Sequence, residues 1–468
     1  MRRFEAPLRF LLLLTTGTLC AMGQEVTATM LGIVTDQADA VIPKATLTAT
    51  ELATGNAHTA TSDEAGLFRF NDLPPGKYKL LIRAPGFKAY DLTGIELATA
   101  ETRNLGKQIL QIGAVSDEVT VTAASTPVQT ASSERADSVT PSQLNDIALK
   151  GRDPFSFVQL LPGVVDSLIG GRDIENAYSM GSLQINGANA QSVNVLMDGI
   201  TEMDEGGNYT AFVTPNVDSI SEMRILTNGY AAEYGRQSGG TMNVITKSGG
   251  SSFHGTGHWD HRNEGLNANT FFNNRSGIQR PIYRYLILGY SVGGPVYIPK
   301  LWNRSKNRLF FFMSQEFTKT DQSTVTVATN EPTALELGGN FSNSRNASGA
   351  VIPVLMPGTT TPFPGNIIPP SLFDPTGAAI LGLLPKPSGY VNPAPGQQYT
   401  SNFLASETPT YNRRNTIMRF DANITSKLNM YYRWGQDVDN HEFPFVVSPG
   451  VGTNVNFLPG YVHGVHLT

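Results

Sequence analysis

Residues 428–437, Leu428-Asn429-Met430-Tyr431-Tyr432-Arg433-Trp434-Gly435-Gln436-Asp437, alternate with a period of two. Leu428, Met430, Tyr432 and Trp434 share one face, and Asn429, Tyr431, Arg433 and Asp437 share the other. Only an extended strand sends successive side chains to opposite sides in this way. In 415–424, Thr416, Met418, Phe420, Ala422 and Ile424 oppose Asn415, Arg419, Asp421 and Asn423. Leu286, Leu288, Tyr290 and Val292 share a face of 284–292. Segment 308–317 is less clean, since Phe310 and Phe312 fall with Arg308 and Glu316. A strand crossing a membrane as part of a barrel turns its apolar side outward and its polar side inward. A soluble sandwich alternates too, so the pattern alone leaves both open.

Composition narrows the choice. The chain has 468 residues, with 34 Lys and Arg against 39 Asp and Glu, a net charge of −5 and a pI near 5.8. That balance argues against a basic nucleic-acid surface. No uninterrupted apolar run exceeds five residues (Phe10–Leu14 and Leu309–Met313), whereas a membrane-spanning helix needs about 20. Spanning helices are excluded; a membrane β-protein is not. Residues 331–410 hold 13 of the 29 prolines, which no central strand tolerates, so this segment is expected to be a long loop on the rim of the wall.

The amino terminus reads as an export signal over 1–23: Arg2 and Arg3, the apolar stretch Leu8–Leu14, then Ala21-Met22-Gly23. Cleavage after Gly23 starts the mature chain at Gln24 and removes Cys20, the sole cysteine. The mature protein then has no disulfide and no cysteine-bound metal. Residues 24–113 show short strands (Thr27–Val34, Lys44–Thr50, Leu67–Asn71, Lys77–Ala84) separated by turn residues, the spacing of a small β-sandwich. Glu118-Val119-Thr120-Val121-Thr122 follows as a short β-prone strip, then a Ser/Thr/Ala-rich linker to about Ser138. Thr140, Pro141 and Gln143 signal a helix start. Asp153-Pro154 restarts a helix expected to carry Phe157, Leu160 and Leu161 on one face until Pro162-Gly163. Strand-like pieces at Leu183–Gly187, Val193–Gly199, Ile220–Thr227 and Thr241–Thr246 follow.

Several ordered motifs carry a family resemblance. Leu31–Asp36, Val41–Ala45, Thr61–Gly66 running into Phe68-Arg69-Phe70, Leu73–Tyr78 and Ala84–Phe87 resemble a carboxypeptidase-regulatory-like domain, which is non-catalytic. Leu196-Met197-Asp198-Gly199-Ile200, Tyr230–Arg236, Gly239-Gly240 and Asn243–Gly249 resemble the plug domain of TonB-dependent outer-membrane receptors. Phe253-His254-Gly255, Asn267–Phe272, Gly293–Val296 and Arg308–Phe312 resemble the opening barrel segment of the Oar-like branch of that family. The resemblance implies a mainly β chain: an Ig-like β-sandwich (24–113), a coupling box and linker (114–138), an α+β plug (139–249) and a partial outer-membrane β-barrel (250–468) with its long loop at 331–410. It implies localisation to the outer membrane and active uptake of a large, scarce ligand (a siderophore, oligosaccharide or peptide). It further implies outer-membrane lipid around the barrel and a TonB-type inner-membrane coupling protein as partner, with no nucleic acid, no cofactor and no enzymatic step.

In such a receptor Glu118, Val119, Thr120, Val121 and Thr122 would be the energy-coupling box, paired as an added strand with the coupling protein. The reading weighed against the box is that the same strip is the last strand of the sandwich or plain linker. Plugged outer-membrane transporters have about 22 strands, while residues 250–468 accommodate about six, the last near Tyr461–Thr468. The chain is therefore expected to be truncated within the barrel, as a shortened gene product or a fragment, and inactive alone. The competing function is an outer-membrane surface-binding or adhesion protein, for instance of carbohydrate, without transport.

Three other motifs resemble chemical sites. Gly289-Tyr290-Ser291-Val292-Gly293 matches a nucleophile elbow, but Gly294-Pro295 cannot open the helix that motif needs. His254, His258, Asp260 and His261 lie close together but lack an HExxH or a cysteine partner. Lys247-Ser248 resembles the end of a phosphate loop, with Thr246 where Gly is required. None is expected to act.

Overall fold

A computed structural model describes residues 27–113, 118–122, 133–139, 141–147, 150–167, 180, 182–204, 206–229, 234–235, 237–275, 277, 279–322, 325–390, 399–407, 409–425, 428–448, 451–456 and 460–467. Three β-units follow one another. The signal segment 1–23, the cap residue Thr140 and most of the Tyr230–Arg236 motif lie outside the described residues.

The first unit is a sandwich. A three-stranded sheet places β1 (Ala28–Asp36) between β4 (Leu67–Leu73) and β7 (Thr102–Leu110). A five-stranded sheet has the order β3 (Ala57–Thr61), β2 (Thr46–Glu51), β5 (Gly76–Arg83), β6 (Ala89–Leu97), β8 (Glu118–Thr122). Alternate residues point inward, so Met30, Leu47, Phe68, Tyr78, Leu80 and Ile82 form one apolar core. The last strand of the second sheet, β8, pairs parallel with β6 from Ala89 opposite Glu118 to Thr93 opposite Thr122.

The second unit, the plug, is built on a mixed sheet. β12 (Val193–Met197) and β15 (Gly240–Thr246) run parallel; β14 (Ile220–Asn228) is antiparallel to β15, and β9 (Arg135–Val139) antiparallel to β14. β13 (Ile200–Thr201) closes the other edge, and β10 (Val164–Asp166) pairs antiparallel with β11 (Leu183–Ile185) as a separate ribbon. Between β12 and β13 lie Asp198 (φ 49°) and Gly199 (φ 80°), the two left-handed residues of a type I′ hairpin turn, for which Asp-Gly is a preferred pair. A helix, α1 (Pro141–Asp146), precedes this sheet's core. Pro154–Leu160 forms a 3₁₀ turn capped by Asp153, whose side chain accepts from the Phe155 N–H at 2.9 Å. The tighter pitch corrects the expected face: Phe155, Phe157 and Val158 are buried, and Leu160 faces out. These residues pack with Val195, Met223, Ile225 and Met242 into a second core.

The third unit is a curved antiparallel wall. Its order is β16 (His254–Arg262), β17 (Tyr283–Pro295), β18 (Leu309–Gln322), β21 (Thr410–Thr425), β22 (Leu428–Ser448), with β23 (Val451–Asn456) and β24 (Gly460–Leu467) as two pieces beside β22. Among the described residues the sheet is open, with β16 at one edge and β23 and β24 at the other. Even-numbered Met418, Phe420, Met430 and Tyr432 face outward, while Tyr431, Arg433 and Asp437 are buried on the inner side, as the alternation predicts. Phe310 and Phe312 are also inward and fully buried, so the irregular segment 308–317 keeps the alternation of the wall with apolar residues on its inner side.

The connections from β16 to β17 and from β18 to β21 lie at one end of the wall, and that from β17 to β18 lies at the other. At this second end the sandwich sits, with the Ser251 N–H donating to the Ala53 carbonyl at 3.1 Å. The proline-rich segment is a lobe on a two-stranded ribbon, β19 (Val325–Thr329) and β20 (Phe403–Glu407). Inside it Asn366 donates to the Phe341 and Ile352 carbonyls and accepts from the Val354 N–H.

Candidate functional site

The inner face of the wall meets the plug through three clusters of buried polar groups. The first is centred on the Asp198-Gly199 turn. Asp198 accepts from the Thr246 N–H at 3.0 Å and the Thr246 hydroxyl at 2.7 Å, which ties the turn to β15. The same carboxylate pairs with Arg419 at 3.0 Å and Arg433 at 3.1 Å, both from the wall. Arg433 also reaches Glu202 at 2.8 Å and donates to the Met197 carbonyl, and Tyr431 donates to the Asp198 carbonyl at 2.5 Å. Arg433 and Glu202 are both fully buried. Counting Asp421, which pairs with Arg419, three carboxylates face two guanidiniums. Burial pushes the Glu202 carboxyl up to about 7, against the opposing pull of Arg433.

The second cluster joins the plug segment 214–216 to β21 and β22. Asp437 accepts from the Thr214 N–H at 2.9 Å and binds Arg413 in a fork at 2.7 and 3.0 Å. Asn216 donates to Asn415 and accepts from the Ser314 hydroxyl, both at 2.7 Å. Beside it Gly435 lets the plug approach: a Cβ there would lie 3.3 Å from both Val213 and Ile417. Ile417 is the wall residue that enters the plug core.

The third cluster contains His258 and Asp260 of the histidine-rich segment. His258 faces inward, its Nδ1 2.5 Å from Asp218 and its Nε2 3.4 Å from Glu316. Arg152 of the plug lies within 3.6 Å of Asp218, Asp260 and Glu316. Burial alone would raise Asp218, but the hydrogen bond to His258 and the charge of Arg152 hold it below the ordinary carboxylate range. His261 points outward and stacks on Trp259, so the alternation of β16 separates the His258/His261 pair. No group of metal-ligating residues is found among the described residues. Ser291 lies inside β17 with its hydroxyl 2.7 Å from that of Thr256, not on a strand-to-helix turn.

Glu118–Thr122 lies apart from these clusters, as the edge strand β8 of the sandwich. The sandwich in turn is bonded to the plug. Glu222 accepts from the Thr99 N–H at 3.1 Å and the Thr99 hydroxyl at 3.3 Å, while Arg224 donates to the Thr99 carbonyl and pairs with Glu134. The sequence marked Arg419, Arg433, Asp421 and Asp437 as inward-facing through their alternation. It gave no sign of their partners Asp198, Glu202 and Thr214, which lie some two hundred residues away in the chain.

Comparison with known proteins agrees with this division. The carboxypeptidase regulatory-like domain family matches residues 29–110, the TonB-dependent receptor plug domain family residues 128–241, and an outer membrane beta barrel domain family residues 245–462. The TonB-dependent transporter Oar of Myxococcus xanthus is 25% identical over 295 residues, which is 59% of this chain and 26% of that protein. Similar solved structures include the siderophore receptor PirA from Acinetobacter baumannii (12% identity, 66% of this chain and 32% of that one, TM-score 0.35). Another is the outer membrane transporter YddB from Escherichia coli (10% identity, 70% and 36%, TM-score 0.41). The chain thus spans about a quarter of the length of the curated relative it matches. Sandwich, plug and wall are thus matched in order by these three families, and the chain carries an N-terminal carboxypeptidase regulatory-like domain, the plug domain of TonB-dependent receptors and part of an outer membrane beta barrel domain.

Proposed function

We propose that this chain supplies the capture, closure and coupling parts of an active transporter. A ligand too large for diffusion pores, of siderophore, oligosaccharide or peptide chemistry, is bound at the end of the wall that carries the 331–407 lobe. The outward apolar belt meets the hydrocarbon, and the plug closes the lumen until a TonB-type protein, working through Glu118–Thr122, displaces it.

The observation that carries this reading is the chemistry of the plug–wall contact. Apart from Ile417 and its neighbours, the plug is held by ion pairs and hydrogen bonds rather than by a shared apolar core. Such contacts are short-ranged and exchange for water when a lumen opens. Removing a single partner instead leaves a buried charge uncompensated. A plug seated this way is stable when closed and can leave as a unit.

The test is deletion of 117–123 in the full-length gene, with separate measurement of surface binding and uptake for ferric siderophores, oligosaccharides and peptides. Retained binding with lost uptake is the expected result; uptake at the wild-type rate refutes the box assignment. One observation favours a surface-binding role without transport. Leu372, Ile380 and Leu383 on the lobe are 60, 61 and 77% exposed, an apolar surface suited to holding a partner. That role predicts binding with no uptake to lose.

A further inference from the structure

Strand β8 is held by the sandwich on one side only. Its register with β6 is continuous over all five residues, and the Thr93 hydroxyl adds a bond to the Val121 carbonyl at 3.3 Å. Among the described residues no strand pairs with its other edge. Thr120, Val121 and Thr122 are exposed, so neither main chain nor side chains are covered there.

We infer that the coupling segment acts as a fixed edge strand of the N-terminal sandwich: a partner's extended strand adds to the outer edge of β8 while β8 stays paired with β6. This rests on the proposed coupling role of 118–122 and specifies how that role is carried out. The occupant is an extended strand of the coupling protein, because an open edge offers a row of main-chain donors and acceptors that only another strand satisfies. Addition breaks no existing bond, whereas capture of a released peptide would first strip β8 from β6 and then reorder it.

The arrangement also fixes where a pull arrives. Load on β8 passes sideways into β6, which ends at Leu97. Two residues later Thr99 is bonded through its N–H, hydroxyl and carbonyl to Glu222 and Arg224 of β14. These two residues share a face of the plug's own sheet. The sandwich is therefore a link between partner and plug beside the chain that continues from β8 into β9, and through it force reaches the plug at β14.

The experiment locks β8 to β6. Asp91 and Thr120 are paired positions away from the sandwich core; in a Cys20-free full-length receptor, D91C with T120C is oxidised, with T93C and T122C as a second pair. Binding of the purified periplasmic domain of a TonB-type protein is measured on oxidised and reduced receptor. Binding unchanged on oxidation, within about twofold, is expected. A loss of about tenfold or more on oxidation, reversed by reductant, overturns the inference, since tenfold corresponds to a full step of about 1.4 kcal/mol. Absence of binding by the reduced and unmodified receptors alike overturns the coupling role itself. Failure of both pairs to oxidise in folded protein overturns the β6–β8 pairing.

Discussion

At Arg433 a guanidinium without solvent exposure meets Asp198 and Glu202 of the plug, 3.1 and 2.8 Å away. Above about pH 7, where Glu202 has released its proton, replacing Arg433 with Met preserves much of the volume but strands two carboxylates, a loss expected to cost about 3–5 kcal/mol. Adding Glu202→Gln to Arg433→Met should recover part of that, because one of the stranded charges is gone. A double-mutant cycle on denaturant midpoints checks this, and strict additivity would show that the two residues do not interact. Glu202 also sets a pH dependence. Folded, its carboxyl keeps a proton until about pH 7; unfolded, it releases one near the ordinary 4.5. The folded state therefore binds more protons between those values, and its stability falls as pH rises through that window and is level above it. Glu202→Gln should flatten this slope in unfolding curves recorded across the window; an unchanged slope would place the proton elsewhere.

Between elements, the contact that matters is that of β14 with the turn after β6. Glu222 and Arg224 are two residues apart, so both reach the same side of the strand and both bond Thr99. Burial raises the Glu222 carboxyl, and the Thr99 N–H is the first group to offset it. Glu222→Ala should weaken docking of the sandwich by about 1–3 kcal/mol, while leaving the wall and the sandwich core intact. The measurement is hydrogen exchange: faster exchange confined to 97–101 and β9 is expected, and a uniform increase across the chain would mean general unfolding. None of this pairing could be read from the sequence. The sandwich strands were legible because turn residues such as Pro74-Pro75-Gly76 punctuate β-branched runs, and β21 and β22 because a period of two is a one-dimensional signal. The place of β8 was open, since five residues of Glu-Val-Thr-Val-Thr suit any edge and its partner β6 lies 29 positions back in the chain. The Pro154–Leu160 turn was mistaken in pitch, because 3.0 and 3.6 residues per turn diverge only slightly over seven residues.

Across the whole wall, the outward apolar belt does not follow the rows of paired residues. On β17 it begins at Leu286, which lies opposite Lys319 of β18 and, beyond it, Asn412 of β21. On β22 Val438 stands alone before Gln436, and the unbroken apolar run begins at Trp434, which lies in the row of Met418, Met313 and Val292. The boundary thus shifts six residues along the β17 scale over three steps from strand to strand, about two per step. A belt that must stay level in a membrane while its strands tilt runs obliquely across the rows. The obliquity gives a test in which strand, face and substituent are held constant. Phe420 lies within the belt, opposite Phe311 and Tyr432, and Asn412 lies beyond it, opposite Lys319 and Asn440; both side chains are exposed on the outer face of β21. Phe420→Arg should cost about 2–4 kcal/mol on folding of the full-length protein into lipid vesicles, as a cation near the hydrocarbon midplane does. Asn412→Arg should stay within about 0.5 kcal/mol of the parent, as surface changes do. Equal costs at the two sites would mean that the outer face meets water along its whole height, and the wall would then have to be a soluble sheet.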